Sequence, residues 1–211
     1  MVAVSLSDAR SALVRGRILG GVEAVLRGGH DLTFANVSGA SGVPERTCYR
    51  YFPTREALLG AVFDWVNERI GWTEGPATDA AALASLVRRA FPGFDAVAPV
   101  VQALLATSEG RAVRVAQNGS RRRAALALAR REAPGLDDAT SRRVAAALQL
   151  LTLAATWQTF REYWDMDGAE AAETSVLAAE LLILGARAHA RTRAPRRKAP
   201  NRKHQKSEKV R

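Results

Sequence analysis

Residues 33–52 read TFANVSGASGVPERTCYRYF, and this stretch carries the strongest local signals in the chain. Thr33 is a good N-cap for a first short helix, and Gly42 supplies the backbone conformation that ends it. Pro44 suits the first turn of a second helix. Two short helices joined by a tight glycine turn are the pattern of a helix-turn-helix.

Each helix of this pair carries apolar residues on one side at helical spacing. The residues predicted to face inward are Phe34, Val37 and Ala40 on the first helix, and Val43, Cys48 and Phe52 on the second. Cys48 is interpreted as a small core residue, with a redox-sensing thiol as the alternative.

The opposite side of the second helix carries side chains that suit the major groove of DNA. Arg46 and Arg50 lie four residues apart, and each can present a guanidinium fork to the N7 and O6 acceptors of guanine. Thr47 and the hydroxyls of Tyr49 and Tyr51 suit phosphate oxygens. The same residue types would also occur on the solvated face of an ordinary helical hairpin, so that interpretation stays open.

The residues around the hairpin add a resemblance to a known family. They run Arg17-Ile18-Leu19, Gly29, Thr33, Val37, Ala40-Ser41-Gly42-Val43, Thr47, Tyr49, Tyr51-Phe52 and Arg55-Glu56-Ala57-Leu58. In this order they closely resemble the N-terminal domain of the TetR family of transcriptional regulators. The resemblance covers about the first 65 residues, and the remaining two thirds match the family only in being helical and of the expected length.

This resemblance implies which residues contact DNA. Phosphate contacts are expected from Thr33, Thr47, Tyr51 and Arg55, and contacts to base edges or the groove wall from Pro44, Glu45, Arg46, Tyr49 and Arg50. Thr33 and Arg55 lie near helix N-termini, where free N–H groups and the helix dipole favour anions. Pro44 stands where many relatives carry serine, so their capping hydroxyl has no counterpart here.

The composition is that of an ordinary globular protein. The chain has 211 residues, which is long enough for a small domain and a larger one. Of these residues 47% are hydrophobic and 25% are charged. Its single cysteine excludes an intrachain disulfide. Neither a secretion signal nor a run of about 18 apolar residues is found, so we expect a cytoplasmic protein without a membrane partner.

The net charge of +10 is concentrated at one end of the chain. Residues 191–211 contain ten of the 31 Lys and Arg residues but only one of the 21 acidic residues, so the rest of the chain is nearly neutral. This tail is predicted to be disordered. It is either a polyelectrolyte arm that raises nonspecific DNA affinity or a solubilising extension.

The spacing of apolar residues predicts an all-α fold. Helices are expected at 10–27, 54–70, 79–91, 94–107, 109–132, 138–164 and 169–190, besides the hairpin at 33–52. Pro92-Gly93, Pro134-Gly135 and residues 165–168 are the predicted breaks. Residues 71–78 are expected to separate a DNA-binding domain, 1–70, from a C-terminal effector-binding and dimerisation domain, 71–190, and the tail follows at 191–211.

The last two predicted helices carry apolar stripes that are wider than a single core usually needs. Their members are Ala145, Leu148, Leu151, Thr152, Val176, Leu177, Glu180, Leu181 and Leu184. In TetR-like proteins the equivalent helices form a four-helix dimer interface. A homodimer would place two recognition helices about one DNA turn apart, as a palindrome requires. A monomeric helical bundle is the alternative.

An aromatic cluster in the predicted helix 138–164 indicates a small-molecule site. Trp157, Phe160 and Trp164 share one face, with Gln158 and Arg161 beside them. Large apolar side chains with a few polar anchors are typical of ligand sites. The same stripe is also compatible with plain core.

Nothing in the sequence indicates an enzyme. His30, His189 and His204 are far apart, and neither paired metal ligands nor a nucleophile motif is present. We therefore expect no catalytic site, metal or cofactor. The sequence predicts a homodimeric TetR-like regulator that binds a palindromic operator in double-stranded DNA, as a repressor released by a small-molecule effector. The alternative is a nonspecific architectural DNA-binding protein, which the nearly neutral body disfavours.

Overall fold

The computed structural model describes residues 5–72 and 75–193, and within these ranges the chain forms eleven α-helices and no β-strand. The expectation of an all-α fold is confirmed. The helices are α1 (Leu6–Arg27), α2 (Phe34–Ser41), α3 (Glu45–Tyr51), α4 (Arg55–Arg69), α5 (Ala80–Ala96), α6 (Ala98–Ala106), α7 (Ser108–Ala116), α8 (Asn118–Glu132), α9 (Asp138–Leu150), α10 (Ala154–Trp164) and α11 (Gly168–Arg193).

Helices α2 and α3 form the predicted pair, and their ends are set by local interactions. The Thr33 Oγ1 atom accepts a hydrogen bond from the backbone N–H of Asn36 at 3.1 Å and caps α2. Gly42 ends α2 with φ at 64°, in the left-handed region that favours glycine. Pro44 occupies the N-cap position of α3, one residue before the first-turn position that the sequence predicts.

The apolar side of the pair packs largely as predicted. Val43, Cys48 and Phe52 are buried, as is Val37. Phe34 is half-buried, and the prediction for Ala40 is wrong because Ala40 is exposed.

The exposure of Ala40 follows from how α2 meets α1. A Cβ atom at Gly21 of α1 would lie only 2.6 Å from the Ser41 Cβ and 3.0 Å from the Val37 carbonyl oxygen. Residues 37 and 41, one helical turn apart, therefore face α1 at very close range, and Ala40 turns away.

Helix α4 runs from the hairpin toward the later helices. Thr54 caps it by accepting a hydrogen bond from the Ala57 N–H at 3.1 Å. Leu58 and Val62 are buried near its start, and Val66 is buried near its end. Helix α4 contacts α1, which itself packs against α2, and it also contacts α6 and α7, so it touches both the first part of the fold and the later bundle.

The prediction that Pro92-Gly93 ends a helix is wrong. Helix α5 continues through Pro92 to Ala96, although proline removes one backbone hydrogen bond from a helix interior. Phe91 and Phe94, on either side of this dipeptide, are both buried. Burying two aromatic side chains in a continuous helix offsets the lost hydrogen bond.

Two predicted long helices are each divided in the structure. The predicted helix 109–132 breaks at Gln117 into α7 and α8, and the predicted helix 138–164 breaks at residues 151–153 into α9 and α10. Neither break contains glycine or proline. Helix α11 extends to Arg193, past the predicted end at residue 190, and residues 194–211 of the predicted tail lie outside the described residues.

The nine residues of the predicted dimer stripes differ in burial, with Leu151 and Thr152 half-buried and Glu180 exposed. Ala145, Leu148 and Val176 are buried in the core of the chain itself. Three leucines of α11 remain open to solvent, with 55% exposure at Leu177, 59% at Leu181 and 58% at Leu184. Part of each stripe is therefore ordinary core, and an apolar strip on α11 is left uncovered. Within the described part of the chain, none of the helices has the length and apolar character needed to cross a membrane.

Candidate nucleic-acid interface and apolar cavity

The outer face of α3 presents most of the predicted DNA-contacting residues to solvent. Pro44, Glu45, Arg46, Tyr49 and Arg50 are exposed, and Thr47 and Tyr51 are half-buried. Because Cys48 faces inward in the same short helix, the helix separates a packing side from a free side.

Two ring contacts restrict side chains on this face. The Tyr49 ring packs against the Phe34 ring with a centroid distance of 4.1 Å. The Arg50 guanidinium lies 5.6 Å from the centroid of the Tyr51 ring. Side chains that are already ordered lose less conformational entropy when they bind a partner.

An open groove of about 640 Å³ runs between α1 and α3. Its lining residues are Ser7, Arg10, Ser11, Val14, Arg17, Gly42, Val43, Pro44, Thr47, Arg50 and Tyr51. Three arginines from two helices lie along it, and none of these described lining residues is acidic. The groove is therefore a basic concavity next to the free face of α3.

Arg10 and Arg17 are functional candidates that the sequence reasoning missed. Their separation of seven residues places them on one side of α1, and this spacing is the signal that could have revealed them. The Arg17 Nη2 atom also donates a hydrogen bond to the Ser41 carbonyl oxygen at 3.0 Å. Arg17 thereby fastens α1 to the C-terminus of α2, where the helix dipole favours a cation.

Thr33 and Arg55 are both exposed at the beginnings of helices, as predicted. The Thr33 hydroxyl accepts the capping hydrogen bond from Asn36, and its own O–H remains a donor. An anion near these helix N-termini would meet a hydroxyl at one and a guanidinium at the other.

The surroundings of Cys48 favour the core interpretation over the redox interpretation. The side chain is fully buried, and its Sγ atom lies 3.6 Å from the Val43 carbonyl oxygen. Burial raises the pKa of the Cys48 thiol. A higher pKa leaves less of the reactive thiolate at neutral pH.

The predicted aromatic ligand face is not a single surface. Trp157 is fully buried, and its Nε1 atom donates a hydrogen bond to the Asp95 Oδ1 at 3.0 Å. Arg161 donates to the same oxygen at 2.7 Å, and the Gly168 N–H donates to Asp95 Oδ2 at 2.5 Å. Asp95 thus joins α5, α10 and α11. Trp164 is 68% exposed.

The other two residues of that prediction also lie apart from a cavity wall. Phe160 is half-buried against the core. Gln158 donates a hydrogen bond to Glu162 one turn along α10. The structure therefore places Trp157 and Arg161 in a junction around Asp95, and it does not gather the five predicted ligand residues around a common space.

A mainly apolar cavity of about 250 Å³ lies elsewhere in the helical body. Its described lining residues are Phe63, Val66, Asn67, Trp72, Phe94, Val101, Leu104, Leu105, Arg111, Arg114, Val115, Asn118, Arg121, Gln149, Thr152, Leu153, Ala154 and Ala155. None of the five predicted ligand residues is among them. A pocket with many apolar and few polar lining groups is the usual form of a small-molecule site.

The unpredicted helix breaks form part of this cavity. Arg114 and Asn118 lie on either side of the break at Gln117. Residues 152 and 153 lie in the break between α9 and α10, and residues 154 and 155 begin α10. Sequence spacing along one helix cannot reveal a site whose walls come from several helices and two irregular joints.

Within the cavity, Arg121 lies close to two aromatic rings. Its guanidinium carbon is 5.3 Å from the centroid of the Phe63 ring and 4.7 Å from that of the Trp72 ring. Both distances are within the range of cation–π attraction. Arg121 is thereby held at the wall between α4 and α8.

Comparison with known proteins adds no functional assignment. No family model matches the chain, and no curated protein matches it. In the described part of the chain, no group of three or more His, Cys, Asp or Glu side chains is arranged to hold a metal ion. The geometry of the basic face and of the cavity is therefore the basis for inference.

Proposed function

We propose that this protein is a homodimeric, sequence-specific DNA-binding regulator of the TetR type, a repressor released by a small-molecule effector. The observation that carries the proposal is the free face of α3, which exposes Arg46, Tyr49 and Arg50 while Cys48 anchors the helix from the other side. An exposed recognition helix with bidentate donors suits the guanine edges of the major groove.

The basic groove supplies the second part of a DNA interface. Arg10 and Arg17 lie beside Arg50 along the α1–α3 groove. Phosphate contacts fix the register of a recognition helix, whereas base contacts specify the sequence. We assign Arg10 and Arg17 to phosphates, together with Thr33 and Arg55 at the neighbouring helix N-termini.

Helix α4 supports a coupling between DNA and effector. It contacts α1, which packs against α2, and its second half lines the cavity with Phe63, Val66 and Asn67. A ligand that binds better when α4 is displaced must weaken operator binding by the same factor, because linkage is reciprocal.

The uncovered leucine strip of α11 supports dimerisation. Introducing a charge with Leu181→Glu is expected to convert the dimer to a monomer without unfolding the chain, because this side chain is 59% exposed in the single chain. Burying a carboxylate in an apolar interface without a partner is costly. Light scattering would report the mass, and circular dichroism the helix content.

A matched control is Leu6→Glu, which makes the same change at a leucine of α1 that is 92% exposed. This variant should keep the mass of the parent. If Leu181→Glu has the same mass as Leu6→Glu and the parent, the α11 strip is not the dimer interface.

The proposal is tested by sequencing the fragments that the purified full chain retains from a pool of random duplexes. The enriched sequences should be palindromes whose half-sites lie about one helical turn, or a multiple of it, apart. A retained pool with the same sequence distribution as the input would refute sequence-specific binding and favour the architectural alternative.

A further inference from the structure

We propose that the cavity takes a small molecule with an apolar body and one anionic group, and that Arg121 is its principal anchor. The inference rests on the proposed function, because it names the chemical class of effector for the same cavity.

The charged lining residues all have one sign. Arg111, Arg114 and Arg121 contribute to the wall, and none of the other described lining residues is acidic. The remaining polar groups are neutral amides and one hydroxyl, from Asn67, Asn118, Gln149 and Thr152. Cations beside a mainly apolar surface make the space complementary to an amphipathic anion.

These arginines differ from others in the same protein. Arg88 pairs with Glu173, and Arg161 pairs with Asp95. No ion pair joins Arg111, Arg114 or Arg121 to a described residue. Arg114 donates a hydrogen bond to the Leu104 carbonyl oxygen, whereas Arg121 lies beside the Phe63 and Trp72 rings.

Burial and the closeness of other positive charges both disfavour the protonated form of the cavity arginines. Burial lowers the pKa of Arg121, and burial together with the nearby charge of Arg111 lowers the pKa of Arg114. Guanidinium groups nevertheless remain protonated near neutral pH. Charges that are partly removed from water and unpaired are stabilised when an anion binds beside them.

The size of the cavity and its arginine donors favour a small ligand with a planar anionic group. A volume of about 250 Å³ suits a small ligand. A carboxylate matches the donor fork of arginine better than a spherical anion does. A medium-chain carboxylate is therefore a suitable probe.

The experiment compares octanoate, 1-octanol and octylammonium, which share a chain and differ in charge. Calorimetric titration of the full chain without DNA should show octanoate binding at least about tenfold more tightly than either of the other two, which equals about 1.4 kcal/mol. Equal affinities for octanoate and octanol, or binding by none of the three, would overturn the proposal.

Substitutions of single arginines test which side chain causes the preference for octanoate over octanol. In Arg121→Met the advantage of octanoate over octanol should fall by about tenfold, while the control Arg122→Met, at an exposed position of the same helix, should keep the full advantage. If Arg121→Met does not fold, Arg121→Gln removes the same charge with a polar side chain and provides the same comparison. An unchanged preference in the folded variant would overturn the assignment of the anchor.

Release from DNA is measured separately, so the two proposals fail in different ways. Tight octanoate binding without operator release would retain the ligand class and refute the regulatory coupling. Specific operator binding without any charge preference among the three probes would retain the DNA-binding function and refute the ligand class.

Discussion

Replacing Trp157 by alanine is expected to lower the free energy of unfolding by about 3–5 kcal/mol. The side chain is fully buried, and its ring centroid lies 5.6 Å from that of Phe94. Truncation would leave a cavity at the junction of α5 and α10, and it would remove the hydrogen bond from the Trp157 Nε1 atom to Asp95. Denaturant titration followed by circular dichroism would measure the change.

Trp164→Ala is the matched control, because Trp164 lies two turns further along α10 and is 68% exposed. Its effect on the free energy of unfolding should stay within about 0.5 kcal/mol. Equal stability losses in both variants would contradict the conclusion that Trp157 belongs to the core and Trp164 to the surface. A Trp157→Ala variant with unchanged stability but lost ligand response would restore the aromatic face as the effector site.

Arg46→Ala and Arg50→Ala are each expected to weaken operator binding by about 1–3 kcal/mol and to relax the base preference at one symmetric pair of positions. Both side chains are exposed on α3, so the fold should be unaffected. Fluorescence anisotropy with the selected palindrome and with single-base variants of it would measure affinity and preference together.

Arg142→Ala provides the charge control, since it removes one exposed arginine from α9. Its affinity for the palindrome should remain close to that of the parent. If all three variants lose the same small amount on every duplex, the arginines of α3 act only through net charge. The base-reading role would then be wrong.

The helix pair could be predicted because its signals are local. Thr33 caps α2 through its own side chain, and Gly42 takes the positive φ that few other residues adopt. Each of these two features depends only on residues within four positions of Thr33 or of Gly42. The inward side of α3 and of the residues that flank it was likewise predictable from the spacing of Val43, Cys48 and Phe52, which are all buried.

The interior of the larger helical region could not be predicted in the same way. Pro92 is kept inside α5 by the burial of Phe91 and Phe94, which is a tertiary effect. Spacing left Trp157 and Arg161 as either ligand or core residues, and it gave no sign that both donate to Asp95, more than sixty positions away in sequence. A partner that distant leaves no periodic signal along α10.

The basic groove is an intermediate case. Arg50 was predicted as a DNA contact because it lies on the polar side of α3. Arg10 and Arg17 become part of the same surface only when α1 packs beside the hairpin. The close approach of α1 at Gly21 sets that position. Sequence spacing could show two arginines on one side of α1, but not what that side faces.

Sequence-specific recognition of DNA is measured by the ratio of two dissociation constants. The full chain is titrated against its selected palindrome and against a scrambled duplex of the same composition, both at about 0.15 M salt. Recognition by α3 predicts that the palindrome binds at least about a thousandfold more tightly. A ratio near one, with both duplexes bound through charge alone, would contradict the proposed function.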